Sequence, residues 1–229
     1  MSTGPKPPLR VAFCLCNGVT LSDFITPSEI LGSLGRSLFG TPTPYDGVSF
    51  DFLAPQKGPV SALIPEINPQ VIANKSYEEA SKEEYDVLWV PAGPIPNPTT
   101  GEDPTPLEEI EFIKAQAPKT KYVASVCGGS MILARAGVLN GKRATTNKML
   151  YRVVEKQTEG LNVNWVPEAR WVVDGNVWTS SGVTAGADMA LAFAEHLSTK
   201  EYAEGIRGIL EVRHTQMDED PFAKVHGLV

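Results

Sequence analysis

Short apolar runs alternate along this chain with stretches whose apolar residues recur at helical spacing. Arg10–Cys16 is almost wholly apolar and reads as a buried strand. Ser22–Leu38 follows, with Phe24, Ile30, Leu31, Leu34 and Leu38 spaced as on one face of a helix. Pro27 is assigned to its first turn, where a missing N–H costs no hydrogen bond. Ser49–Ala54 alternates as a strand, and residues 59–72 alternate more loosely, as in a hairpin. Asp86–Val90 is a continuous apolar strand ending in Pro91-Ala92-Gly93-Pro94. Pro106–Gln116 is amphipathic, Lys121–Val126 is the next strand, and Gly128–Ala136 is a helix closed by Gly137. Arg143–Thr146 reads as a short strand and Lys148–Thr158 as a helix. Trp171–Val173 and Val177–Ser180 flank Asp174-Gly175-Asn176, a hairpin signal. Ala185–Leu197 is a long apolar helix, and the segment from Glu201 begins helical and ends polar.

Strands alternating with helices predict an α/β fold with a doubly wound, mostly parallel sheet flanked by helices. Nothing resembling a repeat or linker divides the 229 residues, so they read as one domain, 1–229, with residues 1–9 as a flexible tail.

Composition narrows the function. A formal charge of −7 argues against nucleic acid or an anionic membrane as partner, since both require a basic face. Residues 1–9 contain no apolar leader core, and no run approaches the roughly 20 apolar residues of a membrane helix, so the expected location is the cytoplasm. Three cysteines in a reducing compartment do not suggest a disulfide framework. Cys14 and Cys16 read as core packing. With all three histidines far away at His196, His214 and His226, no metal site is expected.

The remaining cysteine stands out. Ser125-Val126-Cys127-Gly128-Gly129-Ser130 joins a buried strand to a helix with almost no loop. Such a junction raises its side chain above the C-terminal edge of the sheet, where α/β sites form. The two glycines permit close approach of backbone or substrate. A thiol at a helix N-terminus is also expected to have a pKa below its reference of about 8.5.

These residues resemble the nucleophile elbow of the ThiJ/PfpI superfamily, the class I glutamine-amidotransferase-like fold. Gly137–Thr146 is similar to the segment that follows the elbow helix there, and Asp174–Leu191 to the long C-terminal signature. Asp86–Gly93 is similar to the strand that ends in a Pro-Gly-Gly turn. Asp23-Phe24-Ile25-Thr26-Pro27 sits where the isonitrile hydratase branch carries an acidic residue. The resemblance spans about residues 10–200 in order. It implies a flavodoxin-like sandwich, a homodimer, a small-molecule substrate and no cofactor. In that branch an isonitrile carbon is hydrated to an N-substituted formamide. Cys127 would attack the carbon, and Asp23, its pKa raised by burial, would donate a proton and then assist water. The amides of Gly93 and Gly128 would line an anion pocket. The other reading of Asp23 is a helix cap.

The sequence also departs from the family. Relatives that pair the cysteine with a histidine carry it just after the cysteine or after a Thr-Thr pair; here Gly128 and Asn147 stand in those places. Isonitrile hydratases often have threonine where this chain has Gly128, and Pro94 offers no N–H beside Gly93. Asn147 is a candidate for orienting substrate or carboxyl, and equally for capping the following helix. Trp165, Trp171 and Trp178 are read as core or dimer surface, with a pocket wall as the alternative. His196 is read as a helix-end residue. Three competing functions remain: a glutathione-independent glyoxalase using Glu29, a specialised-metabolism lyase using the same cysteine, and a cysteine redox sensor.

Overall fold

The computed structural model describes residues 6–38, 40–64, 69–97, 100 and 102–229. The predicted strands, with a two-residue edge strand that the sequence reading did not predict, assemble into one seven-stranded sheet. It contains β1 (Leu9–Cys14), β2 (Val48–Ala54), β5 (Lys75–Ser76), β6 (Val87–Val90), β7 (Tyr122–Val126), β10 (Trp171–Asp174) and β11 (Val177–Ser180). Their order is β10-β11-β7-β6-β1-β2-β5, and all neighbours are parallel except the β10/β11 hairpin. The continuous apolar strands are central because a sheet covered on both faces buries both sides of each strand. Residues 59–72 do contain a hairpin, β3 (Gly58–Ser61) against β4 (Gln70–Ala73); residues 65–68 lie outside the described part. β8 (Arg143–Ala144) pairs with β9 (Asn164–Trp165) away from the main sheet, so the strand expected over Arg143–Thr146 is half that length.

The helices are α1 (Ser22–Gly32), α2 (Tyr77–Ala80), α3 (Leu107–Gln116), α4 (Gly129–Arg135), α5 (Tyr151–Gln157), α6 (Val183–Leu197), α7 (Lys200–Leu210) and α8 (Phe222–Val225). Two apolar cores lie on opposite faces of the sheet. One gathers Phe13, Phe24, Trp89 and Phe193 beneath α1 and α6. The other gathers Leu88, Ile113, Ile132 and Leu133 beneath α3 and α4. Cys14 and Cys16 are both buried, as expected of core thiols. Among the described residues, no helix is long and apolar enough to cross a membrane.

Three expectations require correction. The first helix ends at Gly32, followed by a single 3-10 turn, Ser33–Gly35. A Cβ on Gly35 would stand 2.8 Å from the Val48 nitrogen, so the chain must pass too close to β2 for the helix to continue to Leu38. Pro27 lies inside α1, past its first turn. The carbonyl that its absent N–H would have bonded, that of Asp23, instead accepts from Trp89 Nε1 at 3.0 Å. The N-terminal segment is also not a free tail throughout. Residues 1–5 lie outside the described part, but Lys6 donates to the Leu197 carbonyl at 2.7 Å, and its amide bonds Pro44 before β1 begins at Leu9.

Helix α3 holds an unexpected group. Glu109 is fully buried, and neither carboxylate oxygen accepts a hydrogen bond of ordinary geometry. Burial raises its pKa to about 7, against partial relief from Cys16 and Tyr77. A folded pKa above the unfolded 4.5 means that the folded protein resists ionisation, so Glu109 costs stability increasingly as pH rises from 4.5 to 7. Glu109→Gln removes that cost. The variant's stability relative to wild type, measured by urea unfolding, is expected to improve by about 3 kcal/mol between pH 4.5 and pH 8, and to change little below pH 4.5.

Candidate active site

The sheet carries its strand ends into the site. β7 and β6 are adjacent and parallel, so residues 127 and 91–93 emerge side by side at their C-terminal ends. Helix α1 follows β1, the next strand over. Cys127 has φ 57°, a left-handed backbone that is uncommon for a residue with a side chain. The turn is held from several directions. The Cys127 amide donates to the Ser181 carbonyl at 2.7 Å. Its carbonyl accepts from Ser130 Oγ at 3.1 Å and Thr146 Oγ1 at 3.0 Å. Helix α4 then starts so close to β6 that a Cβ on Gly129 would lie 2.1 Å from the Val90 carbonyl oxygen. Of the two elbow glycines, Gly129 is the one that close approach demands. A Cβ on Gly128 would make only an ordinary 3.5 Å contact with Ala92.

Cys127 opens into a cavity of about 320 Å³. Gly93, Gly128 and Asn147 line it as well. The rest of its wall is largely apolar, including Ile95, Met131, Leu150 and Val153, and among the described residues no charged side chain or histidine belongs to it. Cys127 as a residue is 8% exposed. Its pKa is pushed up to about 12, first by burial and then by the negative charge of Asp23; the Gly128 amide and the Asn147 side chain pull the other way. The expectation that the helix N-terminus would lower this pKa therefore fails, because desolvation outweighs the amides.

Asp23 does not cap α1. It is inside the helix, the cap position is Leu21, and no side chain caps that end. Its Oδ2 accepts instead from the Ala92 amide at 3.1 Å, while the Ala92 carbonyl accepts from the Thr20 amide at 2.9 Å. Oδ1 is buried and, among the described residues, has no hydrogen-bond partner. Burial raises the carboxyl to about 7, against the opposing Ala92 bond. Asp23 lies beneath the cavity rather than on its wall, close enough for its charge to act on the Cys127 sulfur.

Asn147 does not cap α5, whose cap position is Leu150 with no side-chain bond; it closes the turn before that helix. Its Oδ1 accepts from the Met149 and Leu150 amides at 2.9 and 3.3 Å, and its side chain also bonds the Cys127 sulfur. A Cβ on Gly93 would stand 2.9 Å from Cys16 Sγ, so only glycine fits that side of the cavity. Glu29 is exposed and is not part of the cavity wall. His196, in the last turn of α6, bonds the Tyr122 hydroxyl at 3.0 Å. Trp171 and Trp178 are core residues, Trp165 is half-buried, and none of the three lines the cavity.

Sequence reasoning missed most of the apolar wall. Leu150, Val153 and Val154 have the i, i+3, i+4 spacing of one helix face, a signal that was available. It also missed Glu109, although Glu109, Phe112, Ile113 and Gln116 form a buried stripe at the same kind of spacing.

A left-handed cysteine at the end of a parallel strand, near a buried carboxyl and beside a largely apolar cavity, defines a nucleophile-elbow α/β protein. The chain belongs to the DJ-1/PfpI family, whose model matches residues 9–196. It is 37% identical to an isonitrile hydratase of Pseudomonas putida over 127 residues, 55% of this chain and 51% of that protein. It is 36% identical to a deglycase of Pyrococcus abyssi over 108 residues, 47% of this chain and 59% of that one. The chain thus spans between half and three-fifths of these relatives' lengths. A ThiJ/PfpI family protein from Pseudomonas syringae has the same fold, with a TM-score of 0.71 and 24% identity over 93% of this chain and 78% of that one.

Gly129→Ala places a methyl against a backbone carbonyl that cannot move aside. It is expected to destabilise the fold by about 3 kcal/mol or more in urea unfolding. Gly128→Ala, by contrast, is expected to stay within about 1 kcal/mol of wild type.

Proposed function

We propose that this protein is an isonitrile hydratase acting without metal or organic cofactor, with Cys127 as nucleophile and Asp23 as proton carrier. The observation that carries the reading is the pairing of a buried thiol with a buried carboxyl beneath an uncharged apolar cavity. An isonitrile R–N≡C is uncharged and offers an electrophilic terminal carbon, which suits such a space.

Between about pH 7 and pH 12 the thiol and carboxyl together hold one ionisable proton. The proton moves from sulfur to Asp23 Oδ1 as the sulfur attacks the isonitrile carbon. Asp23 then delivers it to that carbon, giving the thioimidate R–N=CH–S. Water adds next: Asp23 takes one of its protons, hydroxide bonds the carbon and nitrogen is protonated. The resulting R–NH–CH(OH)–S species collapses to R–NH–CHO as the thiolate leaves and is reprotonated. Negative charge developing near the elbow is offset by the Gly128 amide and the Asn147 side chain, with Gly93 on the opposite wall.

The competing reactions are less well supported. A glyoxalase would need Glu29 and a histidine near the sulfur; Glu29 is exposed, and among the described residues no histidine lines the cavity. A specialised-metabolism lyase could use the same thiol, but no observation favours it over hydration. A redox sensor needs a readily ionised thiol, and this one is held well above its ordinary pKa. We expect a homodimer, as the family resemblance implies, with sedimentation its direct measure, and a cytoplasmic location, as the composition suggests.

Incubation with cyclohexyl isonitrile should yield N-cyclohexylformamide, detected by chromatography. Cys127→Ala and Asp23→Asn should each lower kcat/KM by at least about 10³-fold, the scale of losing a nucleophile or a proton carrier. Formamide production unchanged in either variant contradicts the mechanism. In the wild type, kcat/KM should rise with pH through about 7, as Asp23 ionises while Cys127 keeps its proton.

A further inference from the structure

The segment that follows α7, residues 211–229, is mostly exposed; only Asp220 and Ala223 in it are buried. It lies beyond residue 196, where the family match ends. The Asp220 carboxylate is ion-paired with Lys148 Nζ at 3.2 Å, and each side chain is 1% exposed. An ion pair at that depth adds little to stability, because the loss of water offsets much of the attraction, and apolar side chains could fill the same space. What the charges add is direction, and the residues they direct lie at the elbow.

Lys148 Nζ also donates to Thr145 Oγ1 at 2.6 Å, so the pair grips both ends of a four-residue run. Between those ends, Thr146 Oγ1 donates to the Cys127 carbonyl at 3.0 Å, and the Asn147 side chain bonds the sulfur. A second line reaches the other side of the same residue. The Cys127 amide donates to the Ser181 carbonyl, the Ser181 amide to the Arg170 carbonyl at 2.8 Å, and the Arg170 amide to the Met217 carbonyl at 2.8 Å. The Arg170 side chain is held by Asp188, whose Oδ1 accepts from the Thr215 amide at 3.1 Å. Both backbone groups of the left-handed cysteine are thus tied, through short runs of bonds, to one stretch of the chain, Thr215–Asp220.

We infer that the segment after α7 positions Cys127, with Asp220 as the positioning residue that acts through Lys148. The pair fixes where Thr146 and Asn147 stand, and these two fix the carbonyl and the sulfur of the elbow. The consequence for catalysis rests on the proposed hydratase reaction; the consequence for the elbow does not.

Asp220→Ala alone would leave Lys148 buried without its counter-charge and weaken the whole protein. The informative variant is Lys148→Met/Asp220→Asn. It removes both charges together and keeps an acceptor for the Phe222 amide, which bonds Asp220 Oδ1. Its urea midpoint is expected to stay close to that of wild type. Amide hydrogen exchange, followed by NMR, should be at least about tenfold faster at Cys127 and unchanged at Val11, a buried residue of β1. With cyclohexyl isonitrile, kcat should fall at least about tenfold while KM stays within twofold, because the cavity wall is intact and only the reacting sulfur is displaced. Wild-type exchange at Cys127, or equal acceleration at Cys127 and Val11, makes the pair a support of the fold alone and overturns the inference. Unchanged kcat despite faster exchange at Cys127 overturns Asp220 as a positioning residue and leaves the reaction standing. Faster exchange confined to the elbow, in a protein whose wild type does not hydrate isonitriles, upholds the tie between Asp220 and Cys127 and overturns the reaction.

Discussion

The start of α4 passes so close to the end of β6 that the Val90 carbonyl oxygen occupies the space of a Gly129 side chain. To reach that position directly from β7, the chain must reverse within one residue, and Cys127 takes the left-handed conformation that allows it. Three bonds to the Cys127 backbone, from Ser130, Thr146 and the Ser181 carbonyl, hold it there. Strain of this kind persists only where the surroundings over-determine it. Here the parallel strands, the helix start and the following segments converge on one peptide unit. The same crossing brings Gly128, Ala92 and Gly93 together around the thiol, so the geometry of the cavity follows from the packing of the elbow.

The electrostatics of the site are dominated by exclusion of water rather than by attraction. Both the thiol and Asp23 are pushed toward their neutral forms by burial, and each would be more acidic in solvent. A resting thiolate does not follow from this arrangement. A proton that moves between two reluctant groups does. A dry, uncharged wall suits that chemistry, because any cation lining it would favour permanent ionisation of one partner.

Much of this was legible in the sequence. Continuous apolar strands and the Cys-Gly-Gly junction marked the sheet and its elbow, and Asp23 was marked only by the family resemblance. What could not be read was set by tertiary contacts. Whether Gly128 or Gly129 bears the close approach depends on the position of Val90, 38 and 39 residues earlier in a neighbouring strand. The sign of the Cys127 shift depends on the depth of burial, which no local motif encodes. Glu109 was partly legible through its helical spacing with Phe112, Ile113 and Gln116, but it stands among exposed acidic neighbours, Glu108 and Glu111.

Pro27 has a consequence beyond its missing hydrogen bond. By leaving the Asp23 carbonyl open to the Trp89 indole, it ties the helix that carries the acid to a central strand through a single side-chain proton. Trp89 is fully buried, so that proton can exchange with solvent only when the start of α1 lifts from the sheet. The indole resonance of Trp89 is therefore a natural clock for the opening of this corner. Its exchange rate reports how often the carboxyl beneath the cavity is free to leave its place.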